Sequence, residues 1–169
     1  MKKPVFTGAA VAIITPMNAD GSVNYEELGR IIDDQIDHGT DAIVICGTTG
    51  ESPTLTDEEH TACIRYVVKQ AAGRVPVIAG TGSNDTKYAI WLSRQAQADG
   101  ADALLLVTPY YNKATQAGLI AHYTAVAKEA KAPIIMYSVA SRTGCNIEPA
   151  TVAELVKNVD NIVGVKEAS

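Results

Sequence analysis

The chain has 169 residues, of which 47% are hydrophobic and 20% are charged, the composition of an ordinary globular protein with enough chain for one domain. Its formal net charge is −5, and this mildly acidic balance gives no reason to expect nucleic acid or an anionic membrane as a partner. The basic start of the chain is not followed by a long apolar run, so we expect neither a signal peptide nor a transmembrane span. The cytoplasm is therefore the expected location.

Short apolar runs alternate with longer amphipathic stretches along the whole chain. The runs consist mostly of Val, Ile, Leu and Ala without polar alternation, which is typical of strands buried on both faces. They cover residues 9–14, 42–46, 75–79, 103–107, 134–139 and 162–165. Their starts are 28 to 33 residues apart. A parallel strand–helix–strand crossover takes about 30 residues, so the spacing predicts six parallel strands joined by helices.

The stretches between the runs carry helix boundary signals. Thr56 and Glu59 have the spacing of a capping box, which predicts a helix that ends near Gly73. Residues 84–86, with the sequence NDT, can cap another helix, and Pro149 suits the first turn of a further one. We expect about five helices in all.

The cysteines and histidines indicate no metal site. Cys46, Cys63 and Cys145 are far apart and odd in number, so neither a disulfide framework nor a zinc site is predicted. His60 and His122 fall in helix-like segments, where surface or capping roles are expected rather than metal ligation.

Six parallel strands fit either an open doubly wound sheet or a (β/α)₈ barrel of the TIM type. An open dinucleotide-binding sheet carries a glycine-rich turn after its first strand, but residues 14–17 read ITPM here. Distinctive polar residues instead follow several strands, which is the arrangement of a barrel. A complete barrel takes about 250 residues. We therefore expect a single partial barrel domain over residues 1–169, with about six of eight strands.

Lys166 follows the last apolar run directly. A lone lysine at this place could simply mark where a strand meets water. At the tip of a buried strand, however, desolvation would favour the neutral amine, which attacks carbonyl groups and forms a Schiff base.

Residues at the ends of other strands favour the interpretation of Lys166 as a Schiff-base lysine. Tyr137 ends a buried run, where its phenol could transfer protons, although a core tyrosine would read the same way. Gly47, Thr48 and Thr49 form a turn whose amides and hydroxyls suit a small carboxylate. Arg142 could hold a second carboxylate with two hydrogen bonds. Together these residue types predict a site that condenses carbonyl compounds.

Four motifs carry a family resemblance over essentially the whole chain. Residues 47–52 (GTTGES), 108–113 (TPYYNK), 141–144 (SRTG) and 164–168 (GVKEA) resemble the dihydrodipicolinate synthase family of pyruvate-dependent class I aldolases. The resemblance implies a lyase that condenses pyruvate with L-aspartate 4-semialdehyde through a lysine Schiff base. The product would be 4-hydroxy-tetrahydrodipicolinate, in lysine and diaminopimelate biosynthesis. No metal or organic cofactor is implied.

The resemblance also implies a role for each matching residue. Lys166 would form the imine with pyruvate, and Tyr137 would act as acid and base over it. Thr49 and Tyr111 would complete a proton relay, with Tyr111 reaching in from a partner chain. Thr48 and Thr49, in the turn that begins at Gly47, would hold the carboxylate of pyruvate. The semialdehyde's carboxylate would bind the arginine of the SRTG motif, Arg142, which would also steady the tyrosine.

The sequence departs from the family pattern at residues 137–140, which read YSVA where relatives usually have Tyr-Asn-Val-Pro. Ala114 stands where proline is usual. These changes delete no catalytic group. The largest departure that the resemblance implies is that the last two strands of the family's barrel and its C-terminal helical domain are not expected in this chain. Other pyruvate-dependent aldolases, such as N-acetylneuraminate lyase or a keto-deoxy-sugar aldolase, share the lysine and the tyrosine and remain alternatives. A half-barrel that only assembles is a third interpretation.

An open barrel would leave its first and last strands, 9–14 and 162–165, unpaired on one side. Both are apolar, and edges of that kind recruit another chain. We therefore expect a homodimer or a larger homo-oligomer.

Overall fold

The computed structural model of the protein describes residues 2–169 and contains one parallel sheet. Its strands are β1 Ala10–Ala12, β2 Ala42–Ile45, β3 Val77–Gly80, β4 Ala103–Val107, β5 Ile134–Ser138 and β6 Ile162–Glu167. Each strand pairs in parallel with the next one in the sequence, in the order β1-β2-β3-β4-β5-β6. A doubly wound sheet reverses its strand order at a switch point, whereas a barrel keeps it sequential. The predicted barrel-type arrangement and all six predicted strands are confirmed.

Helices fill the connections between the strands. They are α1 Tyr25–Asp37, α2 Asp57–Ala71, α3 Thr86–Ala98, α4 Gln116–Glu129, the single turn α5 Ala140–Thr143 and α6 Pro149–Asn158. The predicted capping box is present, because the Thr56 amide donates to Glu59 Oε2 at 2.9 Å and the Glu59 amide donates to Thr56 Oγ1 at 3.2 Å. Pro149 is the first residue of α6, as predicted.

The interior strands are covered on both faces. On the outer face, side chains such as those of Ile43, Leu104 and Ile134 pack against the helices in the larger apolar cluster. On the inner face, Val44 and Leu105 belong to a second cluster. Burial of one such side chain stabilises a fold by about 1.5–3 kcal/mol. The prediction of strands buried on both faces holds for β2 to β5.

The two edge strands are less buried than predicted. β1 is three residues long, and Ile14, which was predicted to belong to it, is 52% exposed. In β6 only Ile162 is fully buried, while Val165, Lys166 and Glu167 are exposed. The physical reason is that each edge strand has a neighbour on one side only, so its outward surface has nothing to pack against.

Two histidines lie in a different environment from the predicted one. His60 and His122 are 4% and 5% exposed, so the expectation of surface positions was wrong. His60 Nε2 lies 2.8 Å from the carbonyl oxygen of Gly80, and His122 Nδ1 lies 2.9 Å from Thr86 Oγ1. Each imidazole ring is thus buried and in hydrogen-bond contact with another segment of the chain. None of the helices within residues 2–169 combines the length and the apolar character that crossing a membrane requires.

Candidate active site

Lys166 and Tyr137 are direct neighbours across the sheet. They are paired in the register of β5 and β6, and the ammonium nitrogen of Lys166 lies 4.3 Å from the centre of the Tyr137 ring. At that distance the ring face attracts the cation. Tyr137 is 7% exposed, whereas Lys166 is exposed on the edge strand. The predicted pair is therefore brought together, but the predicted burial of the lysine is absent.

The turn after β2 is shaped by backbone geometry. Cys46 has a φ of 54°, a left-handed conformation that diverts the chain sharply out of the strand. A 3₁₀ turn, Thr48–Gly50, follows, in which the Gly50 amide donates to the Gly47 carbonyl at 3.1 Å. The amides of Thr48 and Thr49 come before this first bond, so the turn itself does not use them. Of the two residues, Thr48 lines a cavity, so its amide lies beside a space that a ligand could fill.

Thr15, which follows β1, stabilises this turn through its side chain. Its Oγ1 donates to the Gly50 carbonyl at 2.7 Å, and Thr15 is 6% exposed. Sequence analysis missed this residue, because a threonine at the end of an apolar run carries no signal of a partner 35 residues away. The carboxyl end of β1 therefore supports the turn after β2.

Two adjoining cavities lie on the inner face of the sheet. Gly47, Thr48 and Tyr137 line a small one of about 30 Å³, roughly the volume of one water molecule. Lys166 lines the larger one, of about 430 Å³. Leu105 borders both cavities, so the cavity of the lysine adjoins the cavity of the tyrosine and the turn.

Arg142 lies on the rim of a third cavity of about 360 Å³, which Thr48, Tyr110 and Thr143 also line. The side chain of Arg142 is exposed, and it forms no salt bridge with any residue in 2–169. Its guanidinium is therefore available to a ligand carboxylate. Thr48 lines both this cavity and the small one beside Tyr137, which connects the two.

Two candidate residues are not brought into these cavities. Thr49 is exposed and lines none of the three. Tyr111 is 88% exposed, with a left-handed φ of 75° that turns it away from the chain's own interior. This tyrosine therefore contributes nothing to the cavities of its own chain.

Buried hydroxyl groups that sequence analysis missed tie the strand ends together. Thr108 Oγ1 donates to Thr143 Oγ1 at 3.1 Å, which joins the end of β4 to the segment after β5. Ser138 Oγ donates to Asn146 Oδ1 at 3.0 Å, and the Ser138 carbonyl accepts from the Ala168 amide at 3.0 Å. The only sequence signal for Ser138 was its departure from the usual asparagine.

The electrostatics around the lysine are modest. Glu167, the next residue, accepts a hydrogen bond from the Ser169 amide at 2.8 Å, and the hydrogen bonds from the side chain and backbone of Ser169 lower the pKa of its carboxyl. Within residues 2–169, no group of three or more His, Cys, Asp or Glu side chains is arranged to hold a metal ion. The candidate site contains an amine, a phenol, hydroxyls and backbone amides.

Comparison with known proteins yields consistent matches. The profile of the Dihydrodipicolinate synthetase family matches residues 5–169. A relative from Lachnoclostridium phytofermentans, 4-hydroxy-tetrahydrodipicolinate synthase, is 64% identical over 165 residues, which is 98% of this chain and 56% of that protein. The chain thus spans just over half the length of the curated relatives it matches.

Solved structures give the same result. The dihydrodipicolinate synthase of Aquifex aeolicus superposes with a TM-score of 0.94 at 52% identity, covering 97% of this chain and 56% of that one. The chloride-inhibited dihydrodipicolinate synthase of Acinetobacter baumannii, complexed with pyruvate, superposes with a TM-score of 0.94 at 48% identity, covering 96% and 55%. The six strands therefore correspond to the first part of a TIM barrel in those enzymes.

Proposed function

Because the chain belongs to the Dihydrodipicolinate synthetase family, we propose that it is a Schiff-base-forming lyase of 4-hydroxy-tetrahydrodipicolinate synthesis. Its substrates would be pyruvate and L-aspartate 4-semialdehyde, and its pathway lysine and diaminopimelate biosynthesis. One observation carries the proposal. The amine of Lys166 lies 4.3 Å from the centre of the Tyr137 ring, beside a cavity of about 430 Å³ that can admit a small keto acid.

The chemistry follows from these side chains. After the ammonium group of Lys166 has lost a proton, its nitrogen attacks the carbonyl carbon of pyruvate, water leaves, and an imine forms. Loss of a methyl proton then gives an enamine, whose carbon attacks the aldehyde of the second substrate. Tyr137 carries protons in these steps, since its phenol can both donate and accept. The adjacency of the two side chains in the strand register supports this division of roles.

The remaining candidate residues bind the two carboxylates. Gly47, Thr48 and Thr49 receive the carboxylate of pyruvate, a role supported by the unused amides at the start of their turn. Arg142 receives the carboxylate of the semialdehyde, supported by its exposed guanidinium on the rim of the neighbouring cavity. The pyruvate complex of the Acinetobacter baumannii enzyme supports the choice of the first substrate.

We also infer a homodimer or larger homo-oligomer in which Tyr111 of one chain completes the proton relay of another through Thr49. Two observations support the inference. Tyr111 is 88% exposed and lines none of the three cavities of its own chain, and within residues 2–169 the outer sides of the edge strands β1 and β6 have no pairing partner, which is the kind of sheet edge that recruits another chain. Light scattering over a dilution series tests this inference. A monodisperse species at the chain mass of 17.8 kDa would contradict it.

Two further parts of the proposal concern organisation and location. One continuous six-stranded sheet supports a single barrel-type domain over residues 1–169. The three free cysteines support a location in the cytoplasm, because thiols persist in a reducing compartment.

The test of function is borohydride reduction in the presence of pyruvate, followed by mass spectrometry of the peptides. We expect one reduced pyruvyl adduct, located on Lys166, and none in Lys166→Ala. Lys157→Ala, at an exposed lysine on α6, is the matched control and should trap pyruvate like the parent. Trapping by Lys166→Ala, or none by the folded parent, would overturn the proposal.

A second assay identifies the aldehyde substrate. Pyruvate is supplied with either L-aspartate 4-semialdehyde or N-acetylmannosamine, and product formation is followed. Turnover of the semialdehyde alone is the expected result. Turnover of the amino sugar would instead identify a lyase of the N-acetylneuraminate type.

A further inference from the structure

The helical turn α5 carries Arg142 but cannot hold itself in place. It has four residues, Ala140–Thr143, and no side chain caps its first turn. A single turn of helix is unstable in water, because fixing its backbone costs more than one or two hydrogen bonds return. The position of the guanidinium therefore depends on contacts that α5 makes with the rest of the chain.

Thr143 makes such a contact. It is 5% exposed, and its hydroxyl donates to the Cys145 carbonyl at 2.9 Å. The same oxygen accepts from the Cys145 amide at 3.2 Å and from Thr108 Oγ1 at 3.1 Å. A hydroxyl offers one donor and two acceptor positions, so Thr143 uses all three. The residue next to Arg142 is thus held by two local bonds to Cys145 and by one bond across the fold to Thr108.

Thr108 connects Thr143 to Tyr137, the candidate acid/base of the site. It is fully buried, and its amide donates to the Tyr137 carbonyl at 3.0 Å while its hydroxyl reaches Thr143. One residue therefore bonds to the backbone of the candidate acid/base and to the neighbour of the candidate carboxylate anchor. The Cys145 carbonyl is a second acceptor for the Thr108 hydroxyl, at 3.3 Å, so both acceptors of this buried hydroxyl lie in the segment that holds Arg142.

On this basis we propose that the buried hydroxyl pair Thr108–Thr143 positions Arg142 for an aldehyde substrate that bears a carboxylate. The inference rests on the proposed function and deepens it. Both threonines act through Arg142, so they are positioning residues. Loss of the pair weakens capture of the semialdehyde and leaves imine formation with pyruvate intact, because Lys166 and its pairing with β5 are untouched.

The test uses substitutions that keep the shape of the side chain. Thr143→Val replaces the hydroxyl by a methyl group, while Thr143→Ser keeps the hydroxyl and serves as the conservative rescue. Thr108→Val breaks the same bond from the other side and serves where Thr143→Val does not fold. Thr151→Val is the matched control, since Thr151 in α6 is 4% exposed and donates to Gln116 Oε1 at 2.7 Å, and neither residue lines the cavity that Arg142 lines.

Three quantities are measured in the full chain. For Thr143→Val we expect the KM for L-aspartate 4-semialdehyde to rise about tenfold, the scale of one lost buried hydrogen bond. Borohydride trapping of pyruvate should stay within about twofold of the parent, and the amides of α5 should exchange with solvent about tenfold faster, again the scale of one such bond. Thr143→Ser and Thr151→Val should match the parent in all three.

An unchanged KM in folded Thr143→Val and Thr108→Val that both trap pyruvate would overturn the proposal. Equal changes in Thr151→Val would also overturn it, because the effect would then be general destabilisation. If the folded parent traps no pyruvate, the proposed function fails first, and the exchange measurement decides the positioning separately. Unchanged exchange of the α5 amides in the valine variants would then reject it.

Discussion

The carboxyl ends of β4 and β5 differ from the carboxyl end of β6, although all three carry candidate site residues. Tyr137 on β5 has strands on both sides, a backbone bond from Thr108 and 7% exposure. Lys166 on β6 has a neighbouring strand on one side only and an exposed side chain. Tyr137 is therefore held by a strand on each side and by a buried hydrogen bond. Lys166, the candidate nucleophile, is held by one strand pairing and by the face of the Tyr137 ring.

This difference has an energetic consequence. Changes on the interior strands alter close packing and buried hydrogen bonds, so they affect stability as well as chemistry. Changes in the part of β6 that follows its buried first residue, Ile162, meet more open space and should affect chemistry with little loss of stability. Four expected outcomes test this contrast, beginning with the largest.

Tyr137→Phe tests the chemistry of the interior strand. A phenol that relays protons is worth about 10²–10⁴-fold in rate, and removing one hydroxyl leaves the packing of the ring unchanged. We expect the steady-state rate of semialdehyde condensation to fall by that factor, with the urea midpoint of unfolding nearly unchanged. A rate within a few-fold of the parent would reject the relay role of the phenol.

Two glycines allow a matched test of the packing contrast. A Cβ added at Gly80, at the end of β3, would lie 2.1 Å from the Cys46 carbonyl oxygen, whereas a Cβ at Gly164 on β6 would meet nothing within 4 Å. Overpacking of an interior site costs about 1–3 kcal/mol, so Gly80→Ala should lower the free energy of unfolding by that amount.

Gly164→Ala should instead leave the free energy of unfolding unchanged or raise it by about 0.4–1 kcal/mol, because alanine has less backbone freedom in the unfolded chain. Urea denaturation of both variants provides the measurement. Equal destabilisation by the two substitutions would remove the distinction between interior and edge strands.

The buried side chain of His60 predicts that the free energy of unfolding depends on pH. Burial lowers the pKa of His60 below its ordinary value of 6.5. The unfolded chain then binds a proton that the folded chain does not, so the free energy of unfolding falls as the pH drops below about 6.5 and levels off once the folded-state pKa is passed. The free energy of unfolding, measured by urea denaturation between pH 7.5 and 5, should therefore decrease toward low pH, in the range where histidine titrates.

His60→Gln should make the slope shallower, while substitution of the exposed His38 by glutamine serves as the control and should leave it in place. A slope that is the same in all three proteins would assign the pH dependence to other groups.

The smallest effect is expected at the start of α5. Ala140 is its first residue, a position whose amide has no partner within the helix and whose backbone suits proline. Ala140→Pro should raise the free energy of unfolding by about 0.4–1 kcal/mol by restricting the unfolded chain. Ala153→Pro, inside α6, is the contrast and should cost about 3 kcal/mol or more. A melting temperature lowered by Ala140→Pro would show that α5 does not tolerate the proline that relatives have there.

The sequence by itself determined the strand positions, the parallel barrel order and the residues at the strand ends. These features are local, because an uninterrupted apolar run of four to six residues and its spacing from the next run can be read without knowing which segments touch. The motifs around Thr48, Arg142 and Lys166 were local in the same sense, which is why they carried the family resemblance.

Only the tertiary structure decided how those strand ends are held and how much water reaches them. The bonds Thr15–Gly50 and Thr108–Thr143 each join residues 35 positions apart, and neither threonine differs in sequence from an ordinary strand-end threonine. The burial of His60 and the exposure of Lys166 depend on the same kind of information. Burial is a property of the surroundings, and a residue's surroundings come from segments that lie beside it in space and far from it in the chain.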